Sequence, residues 1–174
     1  MAAVMDYLDS VEIGVCLRIN QLSRKERVRR FFSVVSQMGD GGFWLVMGLL
    51  TVSLLGMEAL GAVTHIAVTG AFGVLIYKLL KQRLVRHRPF IANGKIFCGT
   101  APLDLYSFPS GHTLHAVSFT IMFYSVEPAL LPIMLPFAFL VAASRVILGL
   151  HYPSDVIVGA LIGTLLATIS VSLM

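Results

Sequence analysis

The sequence predicts an all-α, integral-membrane helical bundle, and three observations predict it. Hydrophobic residues fill 57% of the 174 positions and the mean hydropathy is +0.86, well outside the range of soluble globular chains. Five apolar stretches come close to the ~20 helical residues that a hydrocarbon core about 30 Å thick requires. Charged residues make up only 13% of the chain, and the basic ones gather between those stretches. The length allows one domain, with an amphipathic and basic interfacial segment over 1–30 and a transmembrane bundle over 43–174.

At the N-terminus, Val4, Leu8, Val11, Val15, Ile19 and Leu22 recur at three- and four-residue steps, the period of an amphipathic helix. Asp9, Glu12 and Arg18 interrupt it too often for a span, so it is expected to lie in the membrane interface. The acidic start lacks the basic region of a secretory leader, and the N-terminus is expected to be retained. Arg24, Lys25, Arg27, Arg29 and Arg30 read as a solvated cluster facing lipid head groups. Spans are expected near 43–59, 61–80, 111–126, 129–148 and 154–174. Turns around Glu58 to Gly61 and at Glu127 and Pro128 make helical hairpins of the first four. Phe43 and Trp44 beside Gly41 and Gly42 read as an interfacial aromatic anchor. His65 reads as a satisfied core residue, and Cys16 and Cys98 as unpaired thiols without metal spacing.

This topology puts 1–42, 81–110 and 149–153 on one side of the membrane, with all thirteen lysines and arginines at or near it. The positive-inside rule makes that side cytoplasmic. The formal charge of +4 and pI of about 9.3 suit anionic head groups. A nucleic-acid partner is not expected, because no exposed element carries the basic residues along one surface. Nothing in the sequence sets an oligomeric state.

Three short motifs fall on that basic side. Lys81 and Arg88 are separated by six residues and followed by Pro89; if the second span continues that far, the spacing brings both cations to one face and Pro89 ends the helix. Pro109, Ser110, Gly111 and His112 open the third span, where Ser110 is a natural N-cap and the free N–H groups make an anion site. Ser144, Arg145, His151 and Asp155 surround the last connection. A cation in the final turn of an apolar helix implies a functional role, and a carboxylate four residues after an imidazole can fix its tautomer and leave the other nitrogen free to attack.

The ordered set Lys81-x6-Arg88-Pro89, Pro109-Ser110-Gly111-His112 and Ser144-Arg145-x5-His151-x3-Asp155 resembles the full signature of the type 2 phosphatidic acid phosphatases. The resemblance implies a phosphatase-haloperoxidase type bundle, often with six spans, against the five spans and one interfacial helix counted here. It implies hydrolysis of a membrane lipid phosphate or pyrophosphate, with phosphatidylglycerophosphate, phosphatidate, undecaprenyl pyrophosphate and lipid A phosphates as the substrate classes. His151 is then the nucleophile, Asp155 its orienting carboxylate and His112 the general acid and base. Lys81, Arg88, Arg145, Ser110 and Gly111 bind the phosphate oxygens, and the three fixed cations take the place of magnesium, so neither metal nor cofactor is expected. His87 and His115 flank signature positions and stay outside the site. Phe90 to Phe108 is expected to arch over the site, as a connector or a selector of head groups. A vanadium haloperoxidase is opposed by the short hydrophobic chain. A lipid phosphotransferase and a silent scaffold or transporter are the remaining alternatives. The charge bias favours a cytoplasmic-facing site, whereas many members of the family work at the outer face.

Overall fold

The computed structural model describes residues 2–174, with side chains from Tyr7 onward except Leu8. Every regular element among them is helical: α1 (Ala2–Asn20), α2 (Glu26–Met38), α3 (Gly42–Leu55), α4 (Leu60–Arg83), the single turn α5 (Pro89–Ala92), α6 (Gly111–Val126), α7 (Leu131–Ile147) and α8 (Pro153–Val171). All five expected spans are helices. Three of them, Met57–Arg83, Pro128–Ile147 and Pro153–Val171, are long and apolar enough to cross a membrane alone, and α2 with α3 makes a fourth candidate bent by 54°. The remaining one, α6, has only 16 residues, short of the length a straight span needs. It sits at the centre, packed on α4, α7 and α8.

Along α8 the outer face is hydrophobic and the inner face small or polar. On α8, Ile157, Leu161, Leu165 and Ile169 recur every four residues and are exposed, whereas Asp155, Gly159, Gly163 and Ala167 recur at the same step and are buried. This is the inverted amphipathicity of a helix solvated by lipid, with small residues at the helix contact. A Cβ on Gly159 would lie 2.6 Å from the Ser110 carbonyl oxygen, and one on Gly163 would run into that of Leu114. Glycine therefore allows α8 and α6 to touch backbone to backbone.

The N-terminal third departs most from the sequence reading. The basic run is largely solvated and also helical: Glu26–Met38 forms α2, whose first turns carry Arg27, Arg29 and Arg30. α1 is a helix as expected, and Tyr7, Val11, Val15 and Leu22 face outward. Its inward face carries Asp9, Glu12 and Asn20 beside Ile13, Cys16 and Leu17. Asn20 anchors the helix end, donating to the Phe97 and Ile147 carbonyls at 2.9 and 3.0 Å and accepting from the Phe97 N–H at 2.7 Å. Trp44 is a core residue and no interfacial anchor. It is buried, donates to the Gly39 carbonyl at 3.1 Å, and packs with Phe119 and Phe137. His65 bonds Ser170 Oγ at 2.8 Å between α4 and α8, the satisfied role expected of a polar group among apolar helices.

Candidate active site

The site lies at one end of the bundle, where the C-termini of α4 and α7 meet the N-termini of α6 and α8. Local sequence explains the convergence. Ser110 caps α6, its Oγ accepting from the Thr113 N–H at 3.4 Å, and the Ser110 N–H donates to the Asp155 carbonyl at 3.1 Å, joining α6 to α8. Gly149 turns the chain out of α7 at φ 74°, in the left-handed region open to glycine. The Leu150 and His151 N–H groups both return to the Arg145 carbonyl at 3.0 Å. Pro153 then occupies the first turn of α8, where a missing N–H costs nothing.

The first motif converges by a different route from the one expected. α4 stops at Arg83, and Arg88 is extended at φ −72°, ψ 151°, because a residue before proline is disfavoured in the helical region. Pro89 begins α5 and does not end α4. Lys81 and Arg88 are drawn together by a third residue, Asp104. Lys81 Nζ donates to its two carboxylate oxygens at 2.7 and 2.8 Å, and Arg88 Nη2 to Oδ1 at 2.7 Å. Burial works to raise the Asp104 carboxyl, but the Lys81 ammonium and then the Arg88 guanidinium prevail and hold it below the usual carboxylate range.

Lys81, Arg88, Arg145, Gly111, His112 and His151 all line one cavity of about 350 Å³. Ser110 and Asp155, both fully buried, lie behind its wall. The structure thus brings the signature residues together at one place. His151 Nε2 lies 3.3 Å from Arg88 Nη1, and Nδ1 lies 3.4 Å from Asp155 Oδ2 with no shorter partner. Burial, followed by the charges of Arg88, Arg145 and Lys81, lowers the His151 pKa well below the ordinary histidine value. The imidazole is therefore neutral, with a lone pair available. His112 Nε2 is held by Asp40 Oδ1 at 2.5 Å. Arg145 Nη1 donates to Ser36 Oγ, while Arg145 Nε has no partner.

Sequence reasoning missed three of these partners: Ser36, Asp40 and Asp104. Each sits outside the three motifs and reaches the site only through folding; Asp104 alone lay in a segment already suspected of covering it. His115 lines the cavity with its ring nitrogens 2.9 and 3.0 Å from the Gly111 and Gly70 carbonyls, so it is committed to backbone. His87 is exposed. Among the described residues no group of three His, Cys, Asp or Glu side chains is placed to hold a metal ion.

The far wall of the cavity is apolar, formed by Trp44, Ala67, Val74 and Phe119. Trp44, Ala67 and Phe119 also line a second space of about 230 Å³ between α3 and α4, with Leu45, Gly48, Leu49, Val52, Val63 and Phe123. A cationic chamber and an apolar groove thus share a wall made by Trp44, Ala67 and Phe119.

Known proteins share both the sequence and the architecture. An undecaprenyl-diphosphatase of Sulfolobus acidocaldarius is 26% identical over 166 residues, 94% of this chain and 78% of that one. The decaprenylphosphoryl-5-phosphoribose phosphatase of Mycobacterium tuberculosis is 32% identical over 129 residues, 72% of this chain and 68% of that protein. The crystal structure of Aquifex aeolicus LpxE superposes with a TM-score of 0.78 at 26% identity, covering 93% of this chain and 95% of that one. A transmembrane phosphatidylglycerolphosphate phosphatase from Bacillus subtilis shares the fold at a TM-score of 0.67 and 20% identity, covering 98% of this chain and 92% of its own. The family model of the PAP2 superfamily matches residues 60–174, a stretch that contains every signature residue, and the chain is a multi-pass membrane member of that phosphatase family.

Proposed function

We propose that this protein removes a phosphate from a membrane lipid without a metal ion, through a phosphohistidine on His151. The observation that carries the reading is a cationic cavity with an apolar groove against its wall. Lys81, Arg88 and Arg145 converge where a phosphate would sit, and the adjoining groove between α3 and α4 offers a hydrocarbon chain an apolar bed. Phosphoryl transfer asks chiefly for positioning and for neutralised oxygens, which three buried cations and the N-terminus of α6 supply.

His151 Nε2 attacks phosphorus, forming a P–N bond as the ester P–O bond breaks, and His112 gives the departing alcohol oxygen its proton. Water then adds to phosphorus with His112 accepting its proton; the P–N bond breaks and inorganic phosphate leaves. Asp155 steadies the imidazolium at Nδ1. Asp104 holds the cations in place until a phosphate takes over its contacts.

Relatives named for undecaprenyl diphosphate, for decaprenylphosphoryl-5-phosphoribose and for lipid A span prenyl and acyl lipids. The charge asymmetry leans toward a cytoplasmic site and a biosynthetic substrate such as phosphatidylglycerophosphate. The test is phosphate release by detergent-purified protein from phosphatidylglycerophosphate, phosphatidate, undecaprenyl pyrophosphate and lipid A, with excess chelator. Release should survive the chelator and fall by on the order of 10³-fold or more in His151→Ala. Substantial residual activity in that variant defeats the nucleophile assignment, and no release from any of the four lipids defeats the hydrolase reading.

A further inference from the structure

Arg86 belongs to no signature motif and does not line the cavity, yet it is among the largest fully buried side chains. A guanidinium taken out of water costs several kcal/mol unless its donors are matched, and here every arm is matched. Nε donates to Asp9 Oδ1 at 2.7 Å and Nη2 to Glu12 Oε2 at 2.8 Å. Nη1 donates to Ser154 Oγ at 2.7 Å and to Asp155 Oδ1 at 2.5 Å. The guanidinium carbon stacks 4.0 Å from the Tyr152 ring centroid.

We propose that Arg86 is a positioning residue for the nucleophile, setting the rotation of the Asp155 carboxylate, and that α1 provides the two acidic groups that hold Arg86 there. The argument is geometric and rests on His151 being the nucleophile. Asp155 has two oxygens, and only one can face His151. With Oδ1 taken by Arg86, Oδ2 is left to accept the Tyr152 N–H at 2.9 Å and to stand 3.4 Å from His151 Nδ1. Without the guanidinium the carboxylate can turn about its last bond, and the tautomer with hydrogen on Nδ1 loses its directed acceptor.

The clamp extends to the N-terminal helix. Glu12 accepts from both the N–H and the Oγ of Ser154 at 2.6 Å, so α1 also grips the first turn of α8. The same helix turns Tyr7, Val11 and Val15 outward. Seating of an interfacial helix is thereby coupled to the orientation of the catalytic histidine.

The experiment compares wild type, Arg86→Gln, Arg86→Lys, Glu12→Ala and Asp155→Asn, and combines the first and third substitutions with the last. With phosphatidate as the probe substrate, Arg86→Gln should lower kcat by about 10²-fold with KM within about twofold. Arg86→Lys should recover part of that loss, and Glu12→Ala should lower kcat about tenfold. In the Asp155→Asn background neither Arg86→Gln nor Glu12→Ala should lower kcat further, because both act through the carboxylate already removed. An equal loss in that background, or a kcat left intact by Arg86→Gln, overturns the proposal. Independently of turnover, 15N-histidine NMR in micelles should show the His151 Nδ1–H tautomer in wild type and a mixture in Arg86→Gln, or in Glu12→Ala should the former fail to fold. An unchanged tautomer also overturns it. Wild-type protein that releases no phosphate while the NMR shift appears would instead count against the proposed reaction alone.

Discussion

Asp104 pairs with two of the three cations to which the proposed reaction assigns the phosphate. Its carboxylate bridges Lys81 and Arg88 at hydrogen-bond distance, so a bound phosphate displaces an ion pair already made. Neutralising it in Asp104→Asn leaves one more net positive charge around the anion. Inhibition by inorganic phosphate should then tighten on the order of tenfold, roughly 1.4 kcal/mol, and an unchanged inhibition constant would show that Asp104 does not compete with the product. His151 carries a pH consequence. Its pKa is depressed in the folded protein, so the unfolded chain binds the extra proton first as the pH falls below about 6.5. Stability is therefore retained above that value and lost below it, at up to about 1.4 kcal/mol per pH unit for the one proton. Thermal unfolding in detergent between pH 7 and 5 should show wild type losing more stability than His151→Gln, which has no proton to gain.

At the scale of elements, the contact of α6 with α8 decides whether the site exists. Ser110 and Gly111 open one helix, Asp155 opens the other, and the glycines at 159 and 163 let the two backbones touch. A single methyl on Gly163 runs into the Leu114 carbonyl oxygen, and backbone cannot swing aside as a flexible side chain would. Gly163→Ala should cost about 1–3 kcal/mol and lower turnover, read by detergent thermal unfolding beside phosphate release. Gly61→Ala, where an added Cβ meets nothing within 4 Å, should change stability by less than about 1 kcal/mol. Equal effects of the two would refute the close packing of α6 on α8.

At the scale of the whole molecule, the catalytic end is also the basic end. The α2 cluster, the α4 terminus and the 84–110 segment share one side, and Glu58 and Glu127 lie in the opposite turns. For this charge bias the positive-inside rule predicts a cytoplasmic location of the candidate site. In intact cells, an impermeant maleimide should label a cysteine placed at exposed Glu58 and spare one at exposed Lys95, in a background lacking Cys16 and Cys98. The reverse pattern would put the active site on the outer face.

Much of this architecture was legible before any coordinates. Hydropathy located the five apolar helices, since lipid-solvated segments of helical length announce themselves by composition. The ordered motifs singled out the cations, His112, His151 and Asp155, because together they resemble the family signature. What composition could not supply was the partner of each group. Asp104 is 23 residues from Lys81, Arg86 is 69 from Asp155 and Asp40 is 72 from His112, and no local period relates them. α1 looked like a simple interfacial helix for the same reason: its apolar stripe was visible, but the acidic face that clamps Arg86 has meaning only once a buried guanidinium stands opposite. Local pattern reports how each segment meets its solvent, whereas the pairing of buried charges is settled only when helices distant in sequence are brought into contact.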